Sequence, residues 1–339
     1  MSKSEQASMV ATVAPARVAG LALARPPLRW RLSPWWWRLL ALPCLMLLIS
    51  FIAFAALHLT PSDPATVSLR VNMVVPTPEA QALVAQELGL DRPFLIRYAD
   101  WLQRAVQLDL GYSYLSRRPV LAEFRRALPP TLYLAAVTLL FIVVLALLGA
   151  MLCVLGRRTW VDALVRGVVF FLTALPSYWV GLLLIWLLAV RLDWFPVSGM
   201  RSPSAVVLPA LCLSLAYFGV YLRLLRGSML AQFNQAYVLY ARARGLSERR
   251  ILVNHILRNA LHTAITALSM SIPKLIAGTV VIESIFAWPG IGRLCIEAVF
   301  GRDYPMIQAY ILLMALLFLT FNFLIEGLQQ RLDPRLRHG

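Results

Sequence analysis

A polar, arginine-rich segment interrupts the apolar second half of this chain: Tyr237-Val238-Leu239-Tyr240-Ala241-Arg242-Ala243-Arg244-Gly245-Leu246-Ser247-Glu248-Arg249-Arg250. Apolar runs long enough to cross a lipid bilayer stand on both sides of it, at 206–225 and 264–286. A polar loop between two such runs is typical of a membrane protein that exposes the loop to water. We therefore expect this segment to be the surface through which a membrane-embedded chain contacts a soluble partner.

The composition agrees with a membrane protein. Of the 339 residues, 60% are hydrophobic and only 14% are charged, whereas soluble domains carry about 25% charged residues. The formal net charge of +16 fits two kinds of protein, a nucleic-acid binder or a membrane protein with basic cytoplasmic loops. The positions of the basic residues decide between them.

Six segments are apolar and long enough to span a bilayer, namely 39–57, 131–155, 167–190, 206–225, 264–286 and 306–328. Arginines gather before the first segment, after the second, around the polar interruption and after the sixth, whereas the two short loops on the other side hold few. This bias predicts cytoplasmic N- and C-termini. The fold class predicted is an all-α polytopic membrane protein with about six transmembrane helices, which contacts membrane lipids and no nucleic acid.

The chain divides into four parts by composition. We expect residues 1–34 to form a basic, disordered cytoplasmic extension, and residues 35–130 to hold the first transmembrane helix and a periplasmic amphipathic segment. Residues 131–330 form a core of five transmembrane helices with the polar loop at 227–260, and residues 331–339 form a cytoplasmic tail.

Helical spacing organises the polar loop. Tyr237, Tyr240, Ala241 and Arg244 fall on one face of a first short helix, and the small residues Ala241 and Gly245 permit close approach by another surface. The chain then turns at Leu246 and Ser247, with Ser247 as the N-cap of a second helix. Two short helices at an elbow indicate a docking element.

The same residues carry a family resemblance. Ala241-x-Ala243-x-Gly245-Leu246-Ser247, followed by His255-Ile256-Leu257-Arg258-Asn259-Ala260, resembles the cytoplasmic EAA loop of permease subunits in binding-protein-dependent ABC importers. Leu239 and Tyr240 replace the acid at the start of the general motif, a departure shared by the dipeptide, oligopeptide and nickel branch. Further short motifs also resemble this branch and occur in the same order along the chain. They include Asp109-Leu110-Gly111-Tyr112-Ser113, Ile285-Phe286-Ala287-Trp288-Pro289-Gly290 and Arg302-Asp303-Tyr304-Pro305.

The resemblance implies a type I ABC importer permease in the bacterial inner membrane. Within the branch the chain is most similar to nickel-type permeases, including those for metal–chelate complexes, and peptide import remains the alternative. The implied partners are a second homologous permease, two ABC ATPase subunits and an extracytoplasmic substrate-binding protein. The residues implied to couple transport to the ATPase are Tyr237, Tyr240, Ala241, Arg242, Ala243, Arg244, Gly245, Leu246, Ser247, Arg258 and Asn259.

Three other functions depend on motifs that this sequence lacks. Neither of its two lysines, Lys3 and Lys274, ends a G-x-x-x-x-G-K-[ST] motif, so ATP and Mg²⁺ are expected on partner subunits and the chain is expected to be no enzyme. An intramembrane enzyme would need a motif such as H-E-x-x-H or G-x-S-x-G, and neither occurs. An ion-coupled secondary transporter would need inverted repeats and central ionisable residues, and the chain shows no repeat.

Residues within the spans suggest a pathway or gate. Lys274 and Glu283 lie in the fifth segment on opposite helical faces. Glu283 precedes Trp288-Pro289-Gly290, a helix break that either forms part of an outer gate or simply accepts hydrogen bonds through Glu283. Pro176 bends the third segment and either shapes the pathway or is only a transmembrane proline.

No resident metal site is expected. His58, His255, His262 and His338 are scattered over both sides of the membrane, and the four cysteines have no ligand spacing. If nickel is the cargo, its selection should reside mainly in the binding protein.

Overall fold

The computed structural model describes residues 35–59, 64–71, 73–87, 89–157 and 159–332. The expected N-terminal extension and C-terminal tail therefore lie outside the described residues, apart from Arg331 and Leu332. The helices are α1 (Trp35–His58), α2 (Pro64–Val71), α3 (Pro78–Glu87), α4 (Phe94–Val106), α5 (Val120–Leu155), α6 (Trp160–Ala174), α7 (Ser177–Leu184), α8 (Val207–Gln232), α9 (Ala236–Ala243), α10 (Glu248–Ile251), α11 (Arg258–Ser269), α12 (Ile272–Ile285), α13 (Ile291–Phe300) and α14 (Tyr304–Leu332). The described residues form no β-strand, and the all-α class is confirmed.

Three helical stretches in the described part are long and apolar enough to cross a membrane by themselves: Val120–Leu155, Pro203–Gln232 and Tyr304–Gly327. A fourth crossing would combine α6 with α7 and its π-helical continuation Ile185–Arg191. The first expected span corresponds to the apolar stretch Leu42–Leu57 of α1, which is shorter. These helices establish a polytopic membrane fold.

Two of the six expected spans are broken helices. α6 and α7 meet at an angle of 104°, because Pro176 lacks an N–H and holds Leu175 in an extended conformation (ψ 138°). The bend expected at Pro176 is thus a complete break. The span expected at 264–286 is divided between α11 and α12, with Met270 and Ser271 at the junction.

The centre of the bundle is the packing of α5 against α8. Gly149 lies where a Cβ atom would come within 2.5 Å of Leu222 Cδ1, so any larger residue would force the Leu222 side chain to move. An ion pair also joins α6 to α8. The Arg226 guanidinium donates to both carboxylate oxygens of Asp162 at 2.8 and 2.7 Å. Bidentate pairs of this kind fix geometry as well as charge.

The outer segment is anchored to the rest of the fold at both of its ends. α4 places Phe94, Tyr98 and Trp101 against Phe51 and Phe54 of α1 in a cluster of edge-on and tilted rings. This is the amphipathic face that the spacing of the aromatic residues indicates.

The loop before α5 contacts the start of α14. Ser113 Oγ donates to Asp303 Oδ2 at 2.5 Å, and Asp303 Oδ1 accepts from the backbone N–H of Met306 at 3.3 Å. The Asp303 carboxylate therefore caps α14 and holds the outer loop at once. Two of the sequence motifs that carry the family resemblance, residues 109–113 and 302–305, meet at this contact.

Candidate functional site

The first helix of the elbow, α9, ends in a glycine-dependent turn. Gly245 has φ +76°, a conformation that favours glycine. The N–H of Leu246 donates to the carbonyl of Ala241 at 3.2 Å, and the N–H of Gly245 donates to the carbonyl of Arg242 at 2.8 Å. These are the two bonds of a Schellman motif. The turn expected at Leu246 and Ser247 is present because this motif reverses the chain there.

An ion pair closes the bend from the other side. Arg242, near the end of α9, donates to both carboxylate oxygens of Glu248 at the start of α10, at 2.7 and 3.2 Å. The hydrogen bond from Arg242 lowers the pKa of the Glu248 carboxyl. Ser247 stands before α10 as expected of an N-cap, but its side chain makes no capping hydrogen bond. The angle between the two helices is therefore held by the Schellman turn and by this ion pair.

The inner face of the elbow is buried in the chain's own core. Val238 and Ala241 of α9 and Ile251 of α10 pack in one cluster with Val154 of α5 and Met229 of α8. The small size of Ala241 predicted close approach by another surface. The side chain is instead buried, and its small size allows α9 to approach the chain's own bundle. α9 is thus packed into the same tightly filled core as α5 and α8.

The outer face of the elbow is exposed and unusually apolar for a polar loop. Leu239 and Tyr240 leave 57% and 66% of their surface exposed, and the Arg244 guanidinium lies 5.9 Å from the Tyr240 ring centroid. Gly245 has open space where a Cβ would stand. Tyr237 is partly buried and donates to Gln232 Oε1 at 2.8 Å. The predicted face is therefore split, with Tyr240 and Arg244 outward and Tyr237 and Ala241 inward.

The rest of the predicted coupling set lies around this outer face. Ala243 and Ser247 are exposed beside the turn, and Arg258 and Asn259 are exposed at the start of α11. A π-helical turn, Leu252–Leu257, joins α10 to α11 without a break. Leu239 also lies on this face, although it was not among the predicted coupling residues. The sequence could have indicated this residue. An apolar side chain next to the inward-facing Val238 must point outward when only one face of the helix is buried.

A second cluster gathers at the outer break after α12. The Glu283 carboxylate is fully buried and accepts from the Thr131 hydroxyl at 2.7 Å and from the backbone N–H groups of Gly292 and Arg293 at 2.7 and 3.1 Å. The carboxylate thus accepts hydrogen bonds from the otherwise unpaired N–H groups in the first turn of α13, and it also contacts α5. It fits the simpler expectation, hydrogen bonding to irregular backbone.

Trp288 and Gly290 belong to the same cluster. The indole N–H of Trp288 donates to the Pro130 carbonyl at 3.0 Å, and the side chain is buried. A Cβ on Gly290 would overlap the Glu283 carboxylate, so glycine is required there. Pro289 stands between them and is exposed. Four of the six candidate gate residues therefore stand at this one break, namely Glu283, Trp288, Pro289 and Gly290.

The other two candidates lie apart from that cluster. Lys274 is exposed near the start of α12, where its carbonyl accepts from the Tyr217 hydroxyl at 3.2 Å. Pro176 stands at the break between α6 and α7. In the described residues, no three or more His, Cys, Asp or Glu side chains are grouped so that they could hold a metal ion.

Comparison with known proteins identifies the family. Residues 142–338 match the model for "binding-protein-dependent transport system inner membrane component", and residues 36–135 match the model for the N-terminal part of such components. The chain is 40% identical over 296 residues to the metal-staphylopine import system permease protein CntB of Staphylococcus aureus, covering 87% of this chain and 95% of that one. It is 34% identical over 305 residues to the glutathione transport system permease protein GsiC of Escherichia coli K12, covering 89% and 97%.

A solved structure supports the fold. The inward-facing MetNI methionine ABC transporter aligns with a TM-score of 0.53 at 16% identity, over 63% of this chain and 97% of that one. Together with the family matches, this likeness confirms the architecture of a type I importer permease and a location in the inner membrane. The chain belongs to the family of inner-membrane components of binding-protein-dependent transport systems, the permease subunits of ABC importers.

Proposed function

We propose that this chain pairs with a second homologous permease to form a translocation pathway, and that its elbow docks on one of two ABC ATPase subunits. The observation that carries the proposal is the two-sided elbow. Its inner face is buried against α5 and α8, and its outer face exposes Leu239 and Tyr240. An apolar pair on a rigid, otherwise polar surface is typical of a protein interface.

Mechanical coupling follows from this arrangement. The partner ATPase binds ATP and Mg²⁺, hydrolyses the nucleotide and closes, and its groove carries the elbow with it. Because Val238 and Ala241 pack in the same cluster as Met229 and Val154, the movement tilts α8 and α5. The coupling set from Tyr237 to Asn259 acts as the rigid contact for this movement, and no step of the chemistry occurs on this chain.

The topology completes the proposal. The basic segment 1–34, the loop at 227–260 and the tail 331–339 are cytoplasmic, whereas residues after the first helix, up to 130, lie in the periplasm with the extracytoplasmic binding protein above them. The core 131–330 supplies five of the transmembrane segments. The arginine bias in the sequence supports this orientation.

The proposed cargo is nickel or a nickel or other metal–chelate complex. The 40% identity to a metal-staphylopine permease over almost its whole length supports this cargo. Import of dipeptides or oligopeptides is the alternative, supported by the 34% identity to a glutathione permease. An ion-coupled secondary transporter would keep working with an inactive ATPase and would fail when the ion gradient is dissipated.

The gate is proposed at the outer break. Glu283, Trp288, Pro289 and Gly290 would close the pathway from the outside, because they join α12, α13 and α5 at one point. Lys274 and Pro176 are proposed to line the pathway further along, since both stand at helix ends or breaks where backbone geometry can change.

The test is reconstitution of both permeases, both ATPases and the binding protein in proteoliposomes. We expect ATP-dependent uptake of a nickel chelate to exceed uptake of free nickel or of a dipeptide. Peptide uptake alone would replace the cargo assignment and leave the permease role intact. Uptake that persists with a hydrolysis-deficient ATPase would overturn the coupling proposal.

A further inference from the structure

Helices α6 and α8 meet along a seam that has two edges. Val169 of α6 lies against Gly219 of α8, where an added Cβ would come within 3.1 Å of its side chain. To one side of this contact, Val165 of α6 and Leu222 of α8 pack with Cys153 of α5 in one cluster. That edge of the seam is therefore covered by α5.

Arg166 and Arg223 stand on the other edge. Each directly follows a residue of the covered edge, Val165 or Leu222, and one residue turns a helix by about 100°. Both side chains therefore lie across the seam from α5. Their exposure agrees with this position, because both arginines are exposed whereas Leu222 is fully buried.

The two guanidinium groups are also at the same height. The helices run in opposite directions, since Asp162 of α6 pairs with Arg226 of α8 at 2.7 Å and the contact of Val169 with Gly219 follows about two turns further along. Both exposed arginines lie between these two contacts. They are therefore neighbours across the seam, one from each helix.

This part of the seam holds more positive than negative charge. The Arg226 guanidinium occupies both carboxylate oxygens of Asp162, and the Nε atom of Arg166 lies 3.4 Å from one of them. Arg223 has no hydrogen bond or ion pair with any of the described residues. Three guanidinium groups thus share one carboxylate, and most of the N–H groups of Arg166 and Arg223 are left for an acceptor outside the chain.

The pair lies at the edge of the hydrocarbon core. Arg223 follows the start of the membrane-crossing stretch Pro203–Gln232 by about 20 residues, or about 30 Å of helix, which equals the thickness of the core. Phe170 and Val220, one turn nearer the middle of the bilayer on the same edge, are exposed, and so is Trp160 at the start of α6. Acyl chains therefore have an apolar surface directly beside the two cations.

We propose that this edge of the seam binds the phosphate headgroup of an anionic phospholipid between Arg166 and Arg223. Phosphate oxygens are the acceptors that a bilayer offers at this depth, and guanidinium groups bind them in a bidentate manner. A zwitterionic headgroup would bring an ammonium group to a site whose carboxylate is already occupied by Arg226.

The bound phosphate would neutralise the repulsion between the two guanidinium groups and so hold α6 to α8. The orientation proposed above for the chain places this lipid in the cytoplasmic leaflet, where anionic headgroups attract basic residues. The seam lies outside the coupling set and the candidate gate, so the lipid site does not depend on either of them.

The test uses the complex of both permeases and both ATPases, freed of lipid in detergent. Native mass spectrometry measures the binding of dioleoyl phosphatidylglycerol and of dioleoyl phosphatidylcholine. We expect a saturable site that prefers phosphatidylglycerol. Arg223→Gln should raise the Kd for phosphatidylglycerol at least about tenfold, as expected for lost hydrogen bonds to a charged group, and should leave the binding of phosphatidylcholine unchanged.

Two controls make the result specific. Arg201→Gln removes an equal charge at an exposed position before the same membrane-crossing stretch, at its opposite end, and should leave the Kd unchanged. Excess inorganic phosphate should not displace the lipid, because the acyl chains also contact the apolar surface beside the arginines.

The melting temperature separates binding from folding. Because Arg223 pairs with no described group of the fold, Arg223→Gln should melt as the wild type does in the absence of lipid. Phosphatidylglycerol should raise the melting temperature of the wild type, since a ligand of the native state stabilises it, and this increase should be lost in the variant.

Three results would overturn the site. The first is equal affinity of the wild type for the two lipids, and the second is displacement of the lipid by inorganic phosphate. The third is equal weakening by Arg223→Gln and Arg201→Gln, which would indicate only a general attraction between a basic protein and an anionic lipid. ATP-driven uptake by the same complex in proteoliposomes judges the transport function separately.

Discussion

The Thr131 hydroxyl donates to Glu283 Oε1 across 2.7 Å, and it accepts the backbone N–H of Ile291 at 2.9 Å on its other side. One hydroxyl of α5 thus stands between the carboxylate of α12 and the first turn of α13. The hydrogen bonds of this hydroxyl therefore join three helices. Such networks are stable when complete and costly when one member is removed.

Removal of the Glu283 carboxylate should destabilise the fold strongly. Glu283→Ala leaves the N–H groups of Gly292 and Arg293 and the Thr131 hydroxyl without their acceptor, at a cost of about 1 to 3 kcal/mol for each buried group left unpaired. Glu283→Gln keeps one oxygen for the two N–H groups and should cost much less. The melting temperature of the purified complex measures both. Equal losses for the two variants would show that the carboxylate charge, not its hydrogen bonds, stabilises the break.

Bulk at Gly245 should prevent coupling without unfolding the chain. Gly245→Arg fills the open space outside the elbow and should abolish ATP-dependent uptake. It also strains a backbone with φ +76°, by about 1 to 2 kcal/mol. Gly245→Ala carries the same strain without the bulk and should retain most uptake.

Gly199→Arg is the matched control for this experiment. Gly199 has φ +80° and open space around its missing Cβ, but it lies in the loop between α7 and α8. We expect this variant to bind the ATPase normally. Normal ATPase binding and uptake by the Gly245→Arg variant would contradict the proposed docking face.

The exposed apolar pair should supply much of the docking energy. Leu239→Asp places a charge in the contact and should weaken ATPase binding at least about tenfold, since apolar anchors dominate interface energies. Leu83→Asp on α3 is the control, because Leu83 is 64% exposed, close to the 57% of Leu239. Pull-down or calorimetric titration with the purified ATPase measures the effect. Equal weakening by both changes would indicate a general effect of added charge.

The pair between α6 and α8 should show strong coupling in a double-mutant cycle. Asp162 and Arg226 have side-chain exposures of 8% and 24%, so removing one partner leaves a poorly solvated charge. Asp162→Asn and Arg226→Met should each lower the melting temperature, and the double variant should recover much of the loss. Strictly additive losses would show that the two residues act independently of each other.

The sequence predicted the membrane fold and the elbow because both depend on local signals. Long apolar runs, the glycine at 245 and the serine at 247 each indicate structure within a few residues. The break at Pro176 was visible for the same reason. The angle of the break could not be predicted from the sequence. Proline removes one hydrogen bond, but the neighbouring helices decide how far the chain turns.

Contacts between distant segments could not be predicted in this way. Helical period placed Ala241 on a face with Tyr240, but it could not tell whether that face meets a partner or the chain's own α5 and α8. Glu283 and Thr131 lie 152 positions apart, and no local pattern connects them.

The contact between Ser113 and Asp303 joins residues 190 positions apart and sets an order of events during biosynthesis. At a synthesis rate of about 5 to 20 residues per second, the outer loop waits roughly 10 to 40 seconds for its acceptor. Until then the start of α14, which holds the outer loop through Asp303, does not exist. The outer segment can therefore reach its anchored arrangement only when nearly all of the chain has been made.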